Sequence, residues 1–212
     1  MKTEDLIKAI SADTDAPCTP ISRVLLMAGV GGAAVAAIVF LVLIPLRPDF
    51  AAALPTGRFL YKWLLTLTLV VTSMAVVVQL ARPQSVPTSR LLLLIVAPLV
   101  LIAGIAVELL TVPADYWMPT MRGRNAIGCL LLIPLLSAMP LAALFLALQE
   151  GAPARPALAG GVAGLAAAGI GATLYATHCM DDSPLFMAAW YVLGIGLVAA
   201  IGAILGPRLL RW

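Results

Sequence analysis

The chain is poor in the side chains on which most enzyme chemistry depends. Among 212 residues it has one histidine, His178, three cysteines, and only 11% Asp, Glu, Lys and Arg. A single histidine excludes an HExxH zinc site, and no serine and aspartate stand in register with it for nucleophilic catalysis. There is no glycine-rich phosphate loop carrying a lysine, and the long apolar runs hold no pair of carboxylates. These absences leave catalysis little to stand on, and the chain is expected not to be an enzyme. Three cysteines do not make a disulfide scaffold and include no CxxC pair, so their positions matter more than their number. The formal net charge of +3 comes from cations scattered singly near the ends of apolar runs, which excludes direct nucleic-acid binding.

What the chain does have is apolar surface. Hydrophobic residues make up 62% of it and the mean hydropathy is +1.07, more than a water-soluble globule of this length can hide. A helix crosses a bilayer core of about 30 Å with about 20 apolar residues. Six runs meet that requirement: Val24–Leu46, Leu60–Leu80, Leu91–Val112, Ile127–Leu148, Ala157–Thr177 and Leu185–Gly206. The fold class is therefore an all-α integral membrane protein with six transmembrane helices over residues 23–212, preceded by a polar tail, residues 1–22. Ala51–Ala53 resembles a signal-peptide cleavage site after the first run. The acidic Glu4, Asp5, Asp13 and Asp15 before Arg23, and a run longer than the roughly 7–15 residues of a signal core, argue that this helix stays in the membrane.

Orientation follows from Lys and Arg in the short loops. With the amino terminus cytoplasmic, Lys2, Lys8, Arg23, Arg82, Arg90, Arg155, Arg208 and Arg211 lie inside and Arg47, Arg58, Lys62, Arg122 and Arg124 outside. The aromatic residues Tyr61, Trp63, Tyr116, Trp117, Tyr175, Trp190 and Tyr191 gather at the outer interface, where amphipathic rings prefer to sit. Both termini are thus expected in the cytoplasm. In the tail, Leu6, Ile7 and Ile10 share one face of a short helical segment, with Thr3 as its cap. The side chains of residues 1–22 carry a net charge of −2, the wrong sign for anionic lipid, so a protein partner suits that face better.

The densest chemistry lies in Tyr175–Phe186, which gathers His178, Cys179, Asp181 and Asp182 between two apolar runs. Asp182 or Ser183 is expected to cap a helix with Pro184 at its first position. The topology carries Cys129, at the start of the fourth run, and Cys179, just after the fifth, to the same outer face, and leaves Cys18 inside. A disulfide between Cys129 and Cys179 requires Cα atoms within about 4.4–6.8 Å. Glu108, inside the third run, is costly in hydrocarbon and so a functional candidate; its place near the outer end puts Arg122 or Arg124 within reach as a partner. Gly160, Gly161, Gly164, Gly169 and Gly171, with Gly202 and Gly206, read as close helix packing. Pro45, Pro98, Pro134 and Pro140 are of the kind that kink or end membrane helices.

The segments Met1–Ile7, Gly151–Gly160, His178–Phe186 and Gly206–Trp212 resemble NrsF-type proteins, the negative regulators of sigma F, and the likeness covers nearly the whole chain. The resemblance implies a six-helix anti-sigma factor of the bacterial inner membrane. Such a protein restrains an extracytoplasmic-function sigma factor until oxidant or heavy-metal stress releases it. It implies that Cys129 and Cys179 are sensing thiols, with His178, Asp181 and Asp182 as their neighbours. It makes the tail, through Glu4, Asp5, Leu6, Ile7 and Ile10, the docking element for the sigma factor. The partners are then that sigma factor and the lipid bilayer, with no nucleic acid and no small-molecule substrate. No resident cofactor is expected. Disulfide formation and transient heavy-metal binding by Cys129, Cys179 and His178 remain alternatives, because soft thiolates suit both. The competing reading is a small multi-spanning transporter, for which internal pseudo-symmetry or charge near the bilayer centre is missing.

Overall fold

The computed structural model describes Glu4, residues 19–83 and residues 87–210. Among them there are helices and loops and no strands. Six helices are long and apolar enough to cross a membrane: α1 (Ile21–Leu43), α2 (Gly57–Leu80), α3 (Thr88–Thr111), α4 (Ala126–Gln149), α5 (Pro156–Ala176) and α6 (Pro184–Leu209). The protein is a multi-pass membrane protein. Each helix lies within three residues of the run expected for it, and prolines account for several of the differences. α1 starts three residues early, directly after Pro20. It stops at Leu43 because Ile44, which precedes Pro45, is extended, as the residue before a proline must usually be. Pro156 and Pro184 occupy the first positions of α5 and α6, where a missing N–H costs nothing. α4 runs on through Pro134 and Pro140 without a break.

The bundle is organised around α5. Of its best membrane-length window 61% is buried inside the protein, against 17% for α3, so α5 is the central helix and α3 a peripheral one that packs on α2. The sequence of α5 explains the placement. Two thirds of it is Gly, Ala or Val and most of the rest is apolar, which leaves no polar face to turn outward and lets neighbouring backbones approach on several sides. A Cβ on Gly160 would strike the carbonyl of Gly202, and one on Gly206 would strike that of Pro156, so α6 lies against α5 backbone to backbone. On other faces Gly169 meets Val70 of α2, and Gly171 meets Ser137 of α4. The remaining close crossing is α1 on α4, where Gly32 abuts the backbone of Pro140.

At one end of the bundle, three connections converge: the α1–α2 loop with Arg47, the α3–α4 loop with Gly123–Asn125, and the α5–α6 loop with Cys179. A second apolar cluster lies directly beneath them and contains Phe40, Cys129, Ile133, Tyr175, Cys179, Phe186, Met187 and Tyr191. The larger cluster, built from α1, α2, α4, α5 and α6, fills the opposite half.

Candidate functional site

The loop between α5 and α6 is built to hold Cys179 still. α5 ends when the Tyr175 carbonyl accepts the N–H groups of both His178 and Cys179, each at 3.0 Å. α6 begins at Ser183, whose Oγ accepts the Leu185 N–H at 3.1 Å, with Pro184 at the first position. Between these ends, the loop is tied to every nearby element. Asp181 Oδ2 accepts the N–H groups of Arg124 (2.9 Å) and Asn125 (2.8 Å) and the Asn125 side-chain amide (3.0 Å). That turn closes because Gly123 has φ +57° and no Cβ to strike the Phe186 ring, a combination only glycine supplies. The His178 Nδ1 lies 2.7 Å from the Pro45 carbonyl oxygen, and its ring leans on Tyr175.

Two cations lock the loop from the side. Lys62, on the second turn of α2, is completely buried. Its ammonium donates to the Cys179 carbonyl at 3.0 Å and pairs with Asp182 at 2.5 Å. Arg47 is 6% exposed; one amino group donates to both Asp182 oxygens (2.8 and 3.1 Å), and its other nitrogens grip Asp49 at 2.7 and 2.8 Å. The same Arg47 lies over the Phe59 ring and reaches the Cys179 carbonyl at 3.4 Å. Asp49 and then Asp182 hold the guanidinium well above its usual range, and Arg47 in return lowers the Asp49 carboxyl. Asp182 thus carries two buried cations, an arrangement that costs several kcal/mol per ion to desolvate and holds only because every charge is paired.

Cys129 and Cys179 are both fully buried and both are free thiols. They belong to the same buried cluster, Cys129 on the first turn of α4 and Cys179 in the α5–α6 loop. The Cys179 thiol is held below its ordinary range, first by the neighbouring Cys129 thiol, against the opposing cost of burial, and then by the Lys62 charge. Its Sγ also lies 3.7 Å from the Asp181 carbonyl oxygen. A pair so placed can be oxidised to a disulfide or bridged by a soft ion. Among the described residues, no set of three or more His, Cys, Asp and Glu is placed to hold a metal ion; the His178 and Asp182 side chains are engaged elsewhere, as above. Any thiophilic ion would therefore depend on the two sulfurs.

Glu108 stands in a different network from the one expected. Its Oε2 accepts the Ser183 hydroxyl (2.6 Å) and the Leu185 N–H (3.0 Å), and its Oε1 faces Arg58 at 3.6 Å. The ion pair with Arg122 or Arg124 is thereby corrected. The start of α6 comes close enough for Glu108 to serve as a second acceptor at its exposed N–H groups, where a carboxylate is favoured. Glu108 thus ties α3 to the thiol loop. Of the tail residues expected to dock a partner, Glu4 is exposed; Asp5, Leu6, Ile7 and Ile10, with Cys18, lie outside the described residues.

Sequence reasoning placed the thiols together but missed Lys62 and Arg47, which it counted only as outer-loop charges. The available signal was Lys62 itself. A lysine inside a membrane run must find a carboxylate, and Asp181 and Asp182 were the nearest acidic pair at that end of the bundle.

A family model described as "negative regulator of sigma F" matches residues 11–212. The chain is 34% identical over 218 residues to a probable anti-sigma-F factor of Azospira oryzae, with both chains fully covered. It is likewise 34% identical over 216 residues to an anti-sigma-F factor of Caulobacter vibrioides, again across the whole of both. No solved structure matches it. A six-helix membrane bundle whose thiols meet beneath one charged loop therefore belongs to the NrsF family of negative regulators of sigma F.

Proposed function

We propose that this protein is an inner-membrane anti-sigma factor whose Cys129–Cys179 pair senses oxidant or thiophilic metal on the periplasmic side. In this reading its cytoplasmic tail holds an extracytoplasmic-function sigma factor. The observation that carries it is the meeting of the two thiols in a buried site braced by Lys62, Arg47, Asp181 and Glu108. Every helix-linking contact of that loop would feel a change at the sulfurs. Disulfide formation draws the sulfurs to about 2.05 Å, and a bridging ion sets them by its own bond lengths. Either change pulls α4 and the α5–α6 loop against each other and repacks the bundle. The tail at the far side of the membrane then alters its hold on the sigma factor.

The output rests on Leu6, Ile7 and Ile10 as anchors in a groove of the sigma factor, with Glu4 and Asp5 meeting its basic residues. Burial of each anchor is worth roughly 1.5–3 kcal/mol before ordering costs, so loss of one weakens the complex measurably. The test is a target-promoter reporter in cells carrying Cys129→Ser, Cys179→Ser, the double mutant and Cys18→Ser at wild-type protein levels. Either outer substitution should remove the response to oxidant or metal, and the double mutant should match the singles because the pair acts as a unit. Cys18→Ser should respond normally. A normal response from both outer single mutants would end the paired-thiol reading. Deletion of residues 1–12 should leave the protein in the membrane and free the sigma factor without stress; full repression by that truncation would end the tail reading.

A further inference from the structure

We propose that the slot between α2 and α3 binds the headgroup and an acyl chain of phosphatidylethanolamine from the leaflet on the thiol side, with the ammonium on Glu108 and the phosphate on Arg58. The site is independent of the sensor reading above.

A cavity of about 440 Å³ opens between α2 and α3 at the loop end of the bundle. Leu64, Val100, Ala103 and Val107 give it apolar walls, and Leu64 and Val107 are exposed on the helix surfaces that border it. Val100 and Glu108 are eight positions apart on α3, so the wall runs about 12 Å along the helix axis. That is the direction in which an acyl chain lies.

The polar end of the slot holds Glu108 and Arg58. Glu108 is only 3% exposed, and its Oε1 has no hydrogen-bond donor among the described residues. Arg58 comes no nearer to it than 3.6 Å and keeps its side chain 56% exposed. The hydroxyls of the slot are already committed, since Tyr61 donates to the Val100 carbonyl at 2.9 Å and Thr111 to the Val107 carbonyl at 2.8 Å. Neither is free to donate to Glu108. The helix contacts of this side chain use the other oxygen, Oε2, which holds Ser183 and Leu185. A buried carboxylate oxygen without a donor is costly, and a donor from outside the chain relieves that cost.

A ligand for this slot needs a donor for the carboxylate, an anion for Arg58 and an apolar chain. It must also present them at headgroup depth, because Arg58 is the second residue of α2 and Glu108 lies three residues before the end of α3. Phosphatidylethanolamine meets every one of these requirements. Its head is neutral overall, as Glu108 and Arg58 are together, so binding leaves no charge unpaired. Phosphatidylcholine carries the same charges without an N–H, and phosphatidylglycerol would bring an extra negative charge beside a buried carboxylate. A polar cavity of about 690 Å³ shares Arg58 and adds Arg122 and Arg124. The phosphate oxygens thus face arginine, and the carboxylate is left to the ammonium. Because Glu108 also holds the first turn of α6, an occupied slot braces the thiol loop.

The experiment titrates the detergent-solubilised full-length protein with the dioleoyl forms of phosphatidylethanolamine, phosphatidylcholine and phosphatidylglycerol, and reads occupancy by native mass spectrometry. Their acyl chains are identical, so differences report the head. Phosphatidylethanolamine should bind roughly tenfold more tightly than phosphatidylcholine, the worth of one hydrogen bond to a charged group. Glu108→Gln should abolish that preference, whereas Arg58→Gln should weaken both lipids roughly tenfold and leave phosphatidylethanolamine ahead. Ala103 is exposed, so Ala103→Phe fills the slot without disturbing the core and should remove saturable binding altogether. If Glu108→Gln does not fold, the wild-type lipid comparison and the other two variants still decide. Equal wild-type affinity for phosphatidylethanolamine and phosphatidylcholine, tighter binding of phosphatidylglycerol, or unchanged saturable binding in Ala103→Phe would each overturn the proposal and leave a groove coated by bulk lipid.

Discussion

At the scale of single residues, magnitude separates two carboxylates that make similar ion pairs. Asp182 is mostly buried and balances both Lys62 and Arg47, whereas the Asp49 side chain is half exposed and bonds to Arg47 alone. Removing one member of a buried charge set leaves the others unpaired in a low-dielectric site, a cost of about 3–5 kcal/mol. Asp182→Ala should therefore lower unfolding stability in detergent by that order, while Asp49→Ala should change it far less, since solvent screens an exposed partner. Equal effects from the two would show that the loop is not held through Asp182. The sign of any pH effect at Asp49 follows from its lowered carboxyl: the contribution is complete above the ordinary aspartate range and is lost as pH falls through the lower folded value. Glu108 is the third residue of this kind. Glu108→Leu abandons the Ser183 hydroxyl and the Leu185 N–H, and hydrogen bonds to a charged group are worth about 1.5–3 kcal/mol each. The substitution should loosen the start of α6, seen as faster amide exchange at Leu185, and Glu108→Gln should lose less.

At the scale of helices, packing depends on the absence of side chains. Glycines of α5 and α6 face each other so closely that a single Cβ at position 202 would strike the Gly160 backbone. Gly202→Val must push the helices apart, and overpacking of this type costs about 1–3 kcal/mol, more when backbone is the obstacle. Gly196→Val, on the same helix, meets nothing within 4 Å and should be neutral in the same unfolding measurement. Equal stability of Gly202→Val and wild type would mean that α5 and α6 are not in backbone contact. α6 also opens with a π-helical turn, Met187–Tyr191, directly under the thiol loop, and Trp190 donates to the Met121 carbonyl at 3.0 Å. The first turns of α6 are thereby anchored to the short helix Trp117–Arg122 as well as to α3.

At the scale of the whole molecule, the expectation concerns sidedness. The thiols are too deeply buried for a surface label, so Met180, which is 52% exposed beside Cys179, is the better reporter. In a Cys129→Ser/Cys179→Ser background, Met180→Cys should react with a membrane-impermeant maleimide in intact spheroplasts, while Cys18 should be spared. Labelling of Cys18 alone would invert the assignment of both termini to the cytoplasm.

The sequence by itself determined the six spans, because length and hydropathy of a run are local properties and the bilayer accepts little else. It also determined that α5 packs closely, since a helix of glycine and alanine has nothing else to offer, and that Cys129 and Cys179 share one end, since alternate helices run in opposite directions. What only the tertiary structure decided is which partner each buried charge takes. Lys62 and Asp182 are 120 positions apart, Glu108 and Ser183 are 75 apart, and the sequence offered Arg122 and Arg124 as equally plausible partners for Glu108. Helix lengths follow from the chain alone, whereas the choice among several like-charged partners depends on how helices rotate and cross, which the close contacts of α5 with its neighbours set.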